Sequence, residues 1–144
     1  MLRSLKDMLK FLQVLAPAGV TASVSATGFN TADFGAVTFL VNVGATTGNA
    51  FSGSHKLDIL VQHSDVDVDG SYANAADADI YNAEDGANGI AKALDATSDA
   101  SMVHVVSYRG NKQFARIRLV ETGTVDVPVG IVAVGGMSRH NPAL

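Results

Sequence analysis

The residues best suited to chemistry lie in one short acidic segment, Asp65-Val-Asp67-Val-Asp69-Gly70. Carboxylates at alternate positions before a glycine resemble the first half of a calcium-binding loop, because they can converge on a hard cation. A complete loop of this kind has a bidentate glutamate at its twelfth position, where this chain has Ala76. The three aspartates are therefore weak metal candidates, and a solvated acidic loop is the main expectation.

The histidines and acids elsewhere do not form a catalytic or metal-binding pattern. His55, Asp58 and His63 include metal-binding residue types, but eight residues of a strand separate the two histidines by about 26 Å. His104 is predicted to face the core. There is no nucleophile motif, no phosphate-binding glycine loop and no cysteine. We expect no enzyme activity, no cofactor and no metal.

The sequence predicts that the elements carrying these residues are mainly strands. Alternating or β-branched runs predict strands at 36–43, 55–63 and 129–135, with a short strand at 79–81 and a helical turn or irregular chain at 84–94. Short strands separated by glycine-rich turns favour an all-β fold, an antiparallel β-sandwich with a jelly-roll-like arrangement over residues 19–144.

Met102–Glu121 is the most informative stretch of this fold. Gly110-Asn111 is typical of a two-residue turn, so the flanking runs predict a β-hairpin in which Val106 faces Ala115. Alternation then divides the hairpin into an apolar core face and a second face that mixes valines with cations. The residues assigned to the second face are Val103, Val105, Phe114, Arg116 and Arg118.

An amphipathic helix is predicted in the N-terminal arm, residues 1–18, because apolar residues recur there every three or four positions. They are Leu2, Leu5, Met8, Leu9, Leu12 and Leu15. The helix is expected to pack either on its own domain or, as an arm, on a neighbouring subunit. No apolar run is long enough for a transmembrane helix, and no membrane partner is expected.

Charge is distributed unevenly along this chain of net charge −4. Ten acids lie between Asp58 and Asp99, whereas cations dominate after residue 104. Internal pairing of an acidic loop with a basic strand and contact between copies are both compatible with this asymmetry. Phe114 alone accompanies the cations, so nucleic-acid binding is not expected. The predicted interaction residues are Leu2, Leu5, Leu9, Leu12, Arg109, Lys112, Arg116 and Arg118.

Four segments together resemble a known class of proteins. They are Ala36–Val43, the HKLDILVQHSD and DGSY segments of His55–Tyr72, SYRGNKQFARIRL (Ser107–Leu119) and VGIVAVGGMSRHNP (Val129–Pro142). In this order they are similar to small structural proteins encoded among the head genes of tailed bacteriophages and related gene-transfer particles.

The resemblance implies a β-sandwich virion protein, and within that class a capsid decoration (cement) protein on the capsid surface. Its implied partners are the major capsid protein and further copies of itself, in a homotrimer. A head–tail connector or minor tail protein is the alternative within virions. A carbohydrate-binding module is the alternative of another class, although this chain has few aromatic residues with which to bind sugars.

Overall fold

The computed structural model describes residues 8–83 and 88–138. Within them the chain is built from antiparallel strands and short 3-10 turns, which confirms the all-β prediction. The strands are β1 (Lys10–Val20), β2 (Val24–Ser25), β3 (Phe29–Asn30), β4 (Phe34–Val43), β5 (Lys56–Ser64), β6 (Ala73–Asn74), β7 (Ile80–Tyr81), β8 (Ile90–Leu94), β9 (Met102–Tyr108), β10 (Phe114–Thr122) and β11 (Val127–Ser138).

The strands form two sheets. Sheet A has the order β1-β11-β4-β9-β7. Sheet B has the order β2-β10-β5-β6, with β3 also paired to β10 and β8 also paired to β5. All of these pairings are antiparallel.

One hydrophobic core lies between the sheets. Alternate residues of each long strand point into it, as strand geometry requires, and both sheets contribute to a single cluster of buried side chains. Sheet A supplies Phe39 and Val41, while sheet B supplies Ile59 and Ile117, all of them essentially inaccessible to solvent. Burial of an apolar side chain of this size stabilises the folded state by about 1.5–3 kcal/mol.

Most strand predictions are confirmed, and one segment is corrected. The strands predicted at 36–43, 55–63, 79–81 and 129–135 correspond to β4, β5, β7 and β11. Residues 84–94 were expected to form a helical turn or irregular chain, but Ile90–Leu94 is strand β8, which pairs with the outer edge of β5. Residues 84–87 lie outside the described residues.

The hairpin predicted at Met102–Glu121 is wrong, although both of its strands exist. Strand β9 belongs to sheet A and pairs with β4, whereas β10 belongs to sheet B and pairs with β5. Gly110 and Asn111 lie in the segment that carries the chain from one sheet to the other. A two-residue turn motif does not select this pairing, because β4 and β5 provide longer partners through tertiary contact.

The helix predicted over residues 1–18 is also corrected, because Lys10–Val20 is a strand. Strand β1 pairs with β11, whose backbone groups would otherwise form an exposed sheet edge. Its register shifts between Leu15 and Ala18, around Pro17, which has no N–H to donate to the ladder. Residues 10–18 are therefore part of sheet A. Residues 1–7 lie outside the described residues.

Candidate functional site

Among residues 8–83 and 88–138, the outer face of sheet A carries no charged side chain. The strand register places the outward-facing residues of all five strands side by side, because directly paired residues of antiparallel strands share a face. The residues of this face are Phe11, Gln13, Ala36, Thr38, Leu40, Asn42, Tyr81, Val103, Val105, Ser107, Gly130, Val132, Val134 and Gly136. None of them is Asp, Glu, Lys or Arg.

Several large apolar residues of this face are accessible to solvent. Val103 is 50% exposed and Val105 is 65% exposed, and Phe11 and Tyr81 are also exposed at opposite edges of the sheet. Contiguous exposed apolar patches on soluble proteins commonly mark sites of contact with another molecule. The polar members Thr38 and Ser107 lie opposite each other, and their hydroxyl oxygens are 3.0 Å apart in a hydrogen bond.

The outer face of sheet B has the opposite character. Its central strands carry Asp58, Gln62, Arg116 and Arg118 outward, and the loop from Asp65 to Tyr72 folds back against them. Asp58 is buried, and one of its carboxylate oxygens lies 3.2 Å from the Lys56 ammonium. The two outer faces of the molecule therefore differ in polarity.

Arg116 anchors the acidic loop to sheet B. The Arg116 side chain is buried, its Nε donates to Gln62 Oε1 at 3.0 Å, and its guanidinium lies 4.0 Å from the centre of the Tyr72 ring. Its Nη1 also donates to the Asp69 carboxylate. That hydrogen bond and the positive charge of Arg116 hold the pKa of Asp69 below its usual value.

The three aspartates of the D-x-D-x-D-G segment have three separate partners. Asp65 accepts a hydrogen bond from Lys112 Nζ at 2.7 Å, and Asp67 accepts one from the Tyr72 hydroxyl at 2.6 Å. Asp69 pairs with Arg116. Among residues 8–83 and 88–138, no three histidine or acidic side chains are grouped so that they could hold a metal ion. The calcium interpretation therefore has no structural support.

The predicted basic interaction residues are largely paired within the chain. Lys112 and Arg116 bind the acidic loop, and Arg109 Nε donates to the Ala78 carbonyl at 2.7 Å. Arg118 is exposed beside this cluster, where its charge helps to lower the pKa of Asp69. The internal pairing of acidic loop and basic strand is thus observed. Whether the four cations also contact another molecule stays a prediction.

The predicted apolar interaction residues are only partly described. Leu2 and Leu5 lie outside the described residues. Leu12 is exposed on β1, and Leu9 is half-buried. A Cβ atom placed on Gly136 would lie 3.0 Å from Leu9 Cδ2, so the Leu9 side chain packs against the backbone of Gly136.

A cluster of polar side chains closes one end of the core. His63 Nδ1 lies 3.0 Å from the Tyr108 hydroxyl, which also accepts a hydrogen bond from the backbone N–H of Lys112 at 3.2 Å. Burial lowers the pKa of His63, although Asp79, 4.0 Å away, acts in the opposite direction. Burial raises the pKa of Tyr108. The hydroxyl proton can thus be donated to a neutral imidazole, which links sheet B to sheet A.

The other histidines have structural contacts. His104 is buried in the core as predicted, and its Nε2 lies 2.9 Å from the Asp99 carbonyl oxygen. His55 Nδ1 lies 3.1 Å from the Thr124 carbonyl oxygen. His55 and His63 therefore have separate partners, the Thr124 carbonyl oxygen and the Tyr108 hydroxyl.

A cavity of about 340 Å³ lies beside the polar cluster. It is lined by the side chains of Asp65, Tyr108, Arg109 and Lys112 together with the start of β4. These four polar groups already bind one another or the backbone. The cavity thus has no unpaired charged group among them with which to recognise a ligand.

The uncharged face of sheet A is the surface that sequence reasoning missed. The signal was present, because alternate residues of 36–42, 103–107 and 130–136 carry no charge. The erroneous hairpin joined Val103 and Val105 to the face of Arg116 and Arg118. In the structure these pairs lie on different sheets, which separates one mixed face into an apolar face and a charged one.

No known protein-family model matches the sequence, and no curated protein is detectably similar to it. In the described part of the chain, no helix is long and apolar enough to cross a membrane.

Proposed function

We propose that this chain is a structural protein of a virion, a capsid decoration protein that binds the major capsid protein on the capsid surface. The observation that carries the proposal is the division of its surface into two faces. Arg116 of sheet B and the neighbouring Lys112 pair with the acidic loop, whereas sheet A presents an uncharged and partly apolar face. Such a face is suited to contact with another protein.

The strand order supports a jelly-roll assignment. β2 and β3 both pair with β10, so they can be counted as one strand, and the short β6 and β7 can be set aside. The remaining strands are numbered one to eight along the chain. Sheet A then has the order first, eighth, third, sixth, and sheet B the order second, seventh, fourth, fifth. Viral capsid proteins and lectins use jelly rolls, and fold alone does not decide between them.

The absence of a catalytic arrangement in the described residues fits a structural role. His63 and Tyr108 bind each other, and Lys112 and Arg116 hold the acidic loop on sheet B. A decoration protein needs contact surfaces repeated over a symmetric particle, because many weak contacts together give strong attachment. The sequence resemblance to phage head proteins points in the same direction.

Quantitative mass spectrometry of purified particles tests this function. A decoration protein is expected in copy numbers proportional to the major capsid protein, and it should bind capsids that lack it when added from solution. A single ring of copies per particle would instead indicate a head–tail connector or minor tail protein. Absence from particles combined with binding on a glycan array would favour a carbohydrate-binding module and overturn the proposal.

A further inference from the structure

We propose that the outer face of sheet A binds the same face of a second copy of this chain, forming a two-fold dimer. The proposal rests on the proposed function in one respect, since it assigns the uncharged face to contact between copies of the decoration protein and leaves the contact with the capsid to the rest of the surface. It goes further by naming the occupant, the symmetry and the residues at the centre of the contact.

The first reason is that none of the described residues of this face is charged. In a two-fold contact the same patch is used by both partners, so residues near the axis meet their own copies. A charged residue there would face a like charge, and the acidic or basic side chains of sheet B would repel one another in this way. Sheet A avoids this repulsion over five strands, although the chain has a net charge of −4.

The second reason is the arrangement of apolar and polar side chains. Leu40, Val105 and Val132 lie next to one another in one row across the three central strands. In the adjacent row the Thr38 and Ser107 hydroxyls already form a hydrogen bond with each other, so this bond would remain when the face is buried. The centre of the face can therefore be desolvated at low cost, as protein interfaces require.

The third reason is size. Four long strands, each occupying about 4.8 Å, span about 19 Å, and their seven to nine paired residues extend about 23–30 Å. The face therefore covers about 500 Å² in plan, and side-chain relief adds to that area. A stable interface buries about 800 Å² from each partner. Two copies of this face, packed as sheets about 10 Å apart, form a contact of that order.

Two other occupants are possible outcomes of the test. The N-terminal segment of the same chain could cover the face, since Leu9 already packs against Gly136. A trimer, as the resemblance implies, would need two different patches on each copy, because a three-fold contact is not self-complementary. Both outcomes are distinguishable from a two-fold dimer by mass and by substitution.

The test measures the mass of the purified full chain by sedimentation over a range of concentrations. We expect twice the chain mass of 14.9 kDa for the natural sequence. The double variant Val103→Lys/Val105→Lys should dimerise at least about tenfold more weakly, because it places four cations at the centre of the contact. Both valines are exposed, so the variant should keep the circular dichroism spectrum of the natural chain, and the two melting temperatures should agree at concentrations where both chains are monomeric.

The matched control is Val66→Lys/Val68→Lys in the acidic loop. Val66 is 53% exposed and Val68 is 61% exposed, similar to the two valines of sheet A, but they lie against sheet B. The control carries the same added charge and should remain dimeric.

A cross-linking experiment identifies the face directly. The chain has no cysteine, so a single Val105→Cys substitution allows a short bis-maleimide to link only different copies. We expect covalent dimers from Val105→Cys and few from Val68→Cys at the same protein concentration. Equal cross-linking of the two variants would count against the assignment of this face.

The proposal is overturned if the natural chain is a monomer at all concentrations, or a trimer. A monomer that becomes a dimer after removal of residues 1–7 would show that its own N-terminal segment covers the face, which also overturns it. These measurements use no particles. A dimer that fails to bind capsids would refute the proposed function alone, and particle binding by a monomer would refute the dimer alone.

Discussion

Replacement of Arg116 by methionine should destabilise the fold, whereas the same replacement of Arg118 should not. Arg116 is buried on β10, and methionine keeps much of its length and apolar volume while removing its charge and its donors. Arg118 is the next outward-facing residue of the same strand and is exposed. The two substitutions therefore differ mainly in the contacts that are lost.

The expected loss of stability follows from two contacts of Arg116. Its hydrogen bond to Gln62 Oε1, 3.0 Å long, involves a charged donor and contributes about 1.5–3 kcal/mol. Its position 4.0 Å from the Tyr72 ring centre contributes about 0.5–1 kcal/mol. The ion pair with Asp69 is not counted in the expected loss of stability, because the Asp69 side chain is 89% exposed. The free energy of unfolding should fall by about 2–4 kcal/mol in Arg116→Met and change by less than about 0.5 kcal/mol in Arg118→Met.

Urea denaturation followed by circular dichroism measures this difference. Limited proteolysis adds a local readout, because the loop from Asp65 to Tyr72 loses its anchor in Arg116→Met and should be cleaved faster. A stability within about 0.5 kcal/mol of the natural chain would refute the assigned role of Arg116. Equal losses in Arg116→Met and Arg118→Met would show that general charge effects, rather than the buried network, determine stability.

Three further outcomes are expected. Gly123→Ala should lower the free energy of unfolding by more than about 1 kcal/mol. Gly123 has a φ of 71°, and a Cβ atom there would clash with the Ser54 carbonyl oxygen. Gly53→Ala is the control in the same denaturation assay, because no atom lies within 4 Å of its Cβ position. NMR titration should give His63 a pKa below 6.5, because burial disfavours its charged form. The unfolded chain then binds this proton more readily, so stability should decline as pH falls through about 6.5, and His63→Gln should reduce that slope. Millimolar calcium should leave the melting temperature unchanged, because the three loop aspartates already have separate partners; a clear rise would contradict that account.

The strands and their buried faces were largely predictable from the sequence. Alternation of apolar residues identified β4, β5 and β11. It also correctly predicted that Val106 and Ile117 face the core. Period-two alternation follows directly from strand geometry, so it survives whichever neighbour a strand acquires. The uneven charge distribution was compatible with internal pairing and with contact between copies, and the pairing of Asp69 with Arg116 is an instance of the first.

Only the tertiary structure decided which strands are neighbours. Gly110-Asn111 is a local turn signal, and it does not determine the pairing of the flanking strands. β9 pairs with β4 in sheet A, whereas β10 pairs with β5 in sheet B. Tertiary pairing likewise outweighs the helical spacing of apolar residues in Lys10–Val20. The edge of β11 would otherwise be unpaired, and β1 satisfies its backbone hydrogen bonds.

The candidate surface shows the same division between local and tertiary information. The sequence determined by itself that Val103 and Val105 face away from the core, and that Arg116 and Arg118 do so as well. It did not determine whether the valines and arginines share a surface, because strand pairing depends on contacts between residues distant in the chain. The assignment of β9 and β10 to different sheets placed the valines on an uncharged face and the arginines beside the acidic loop.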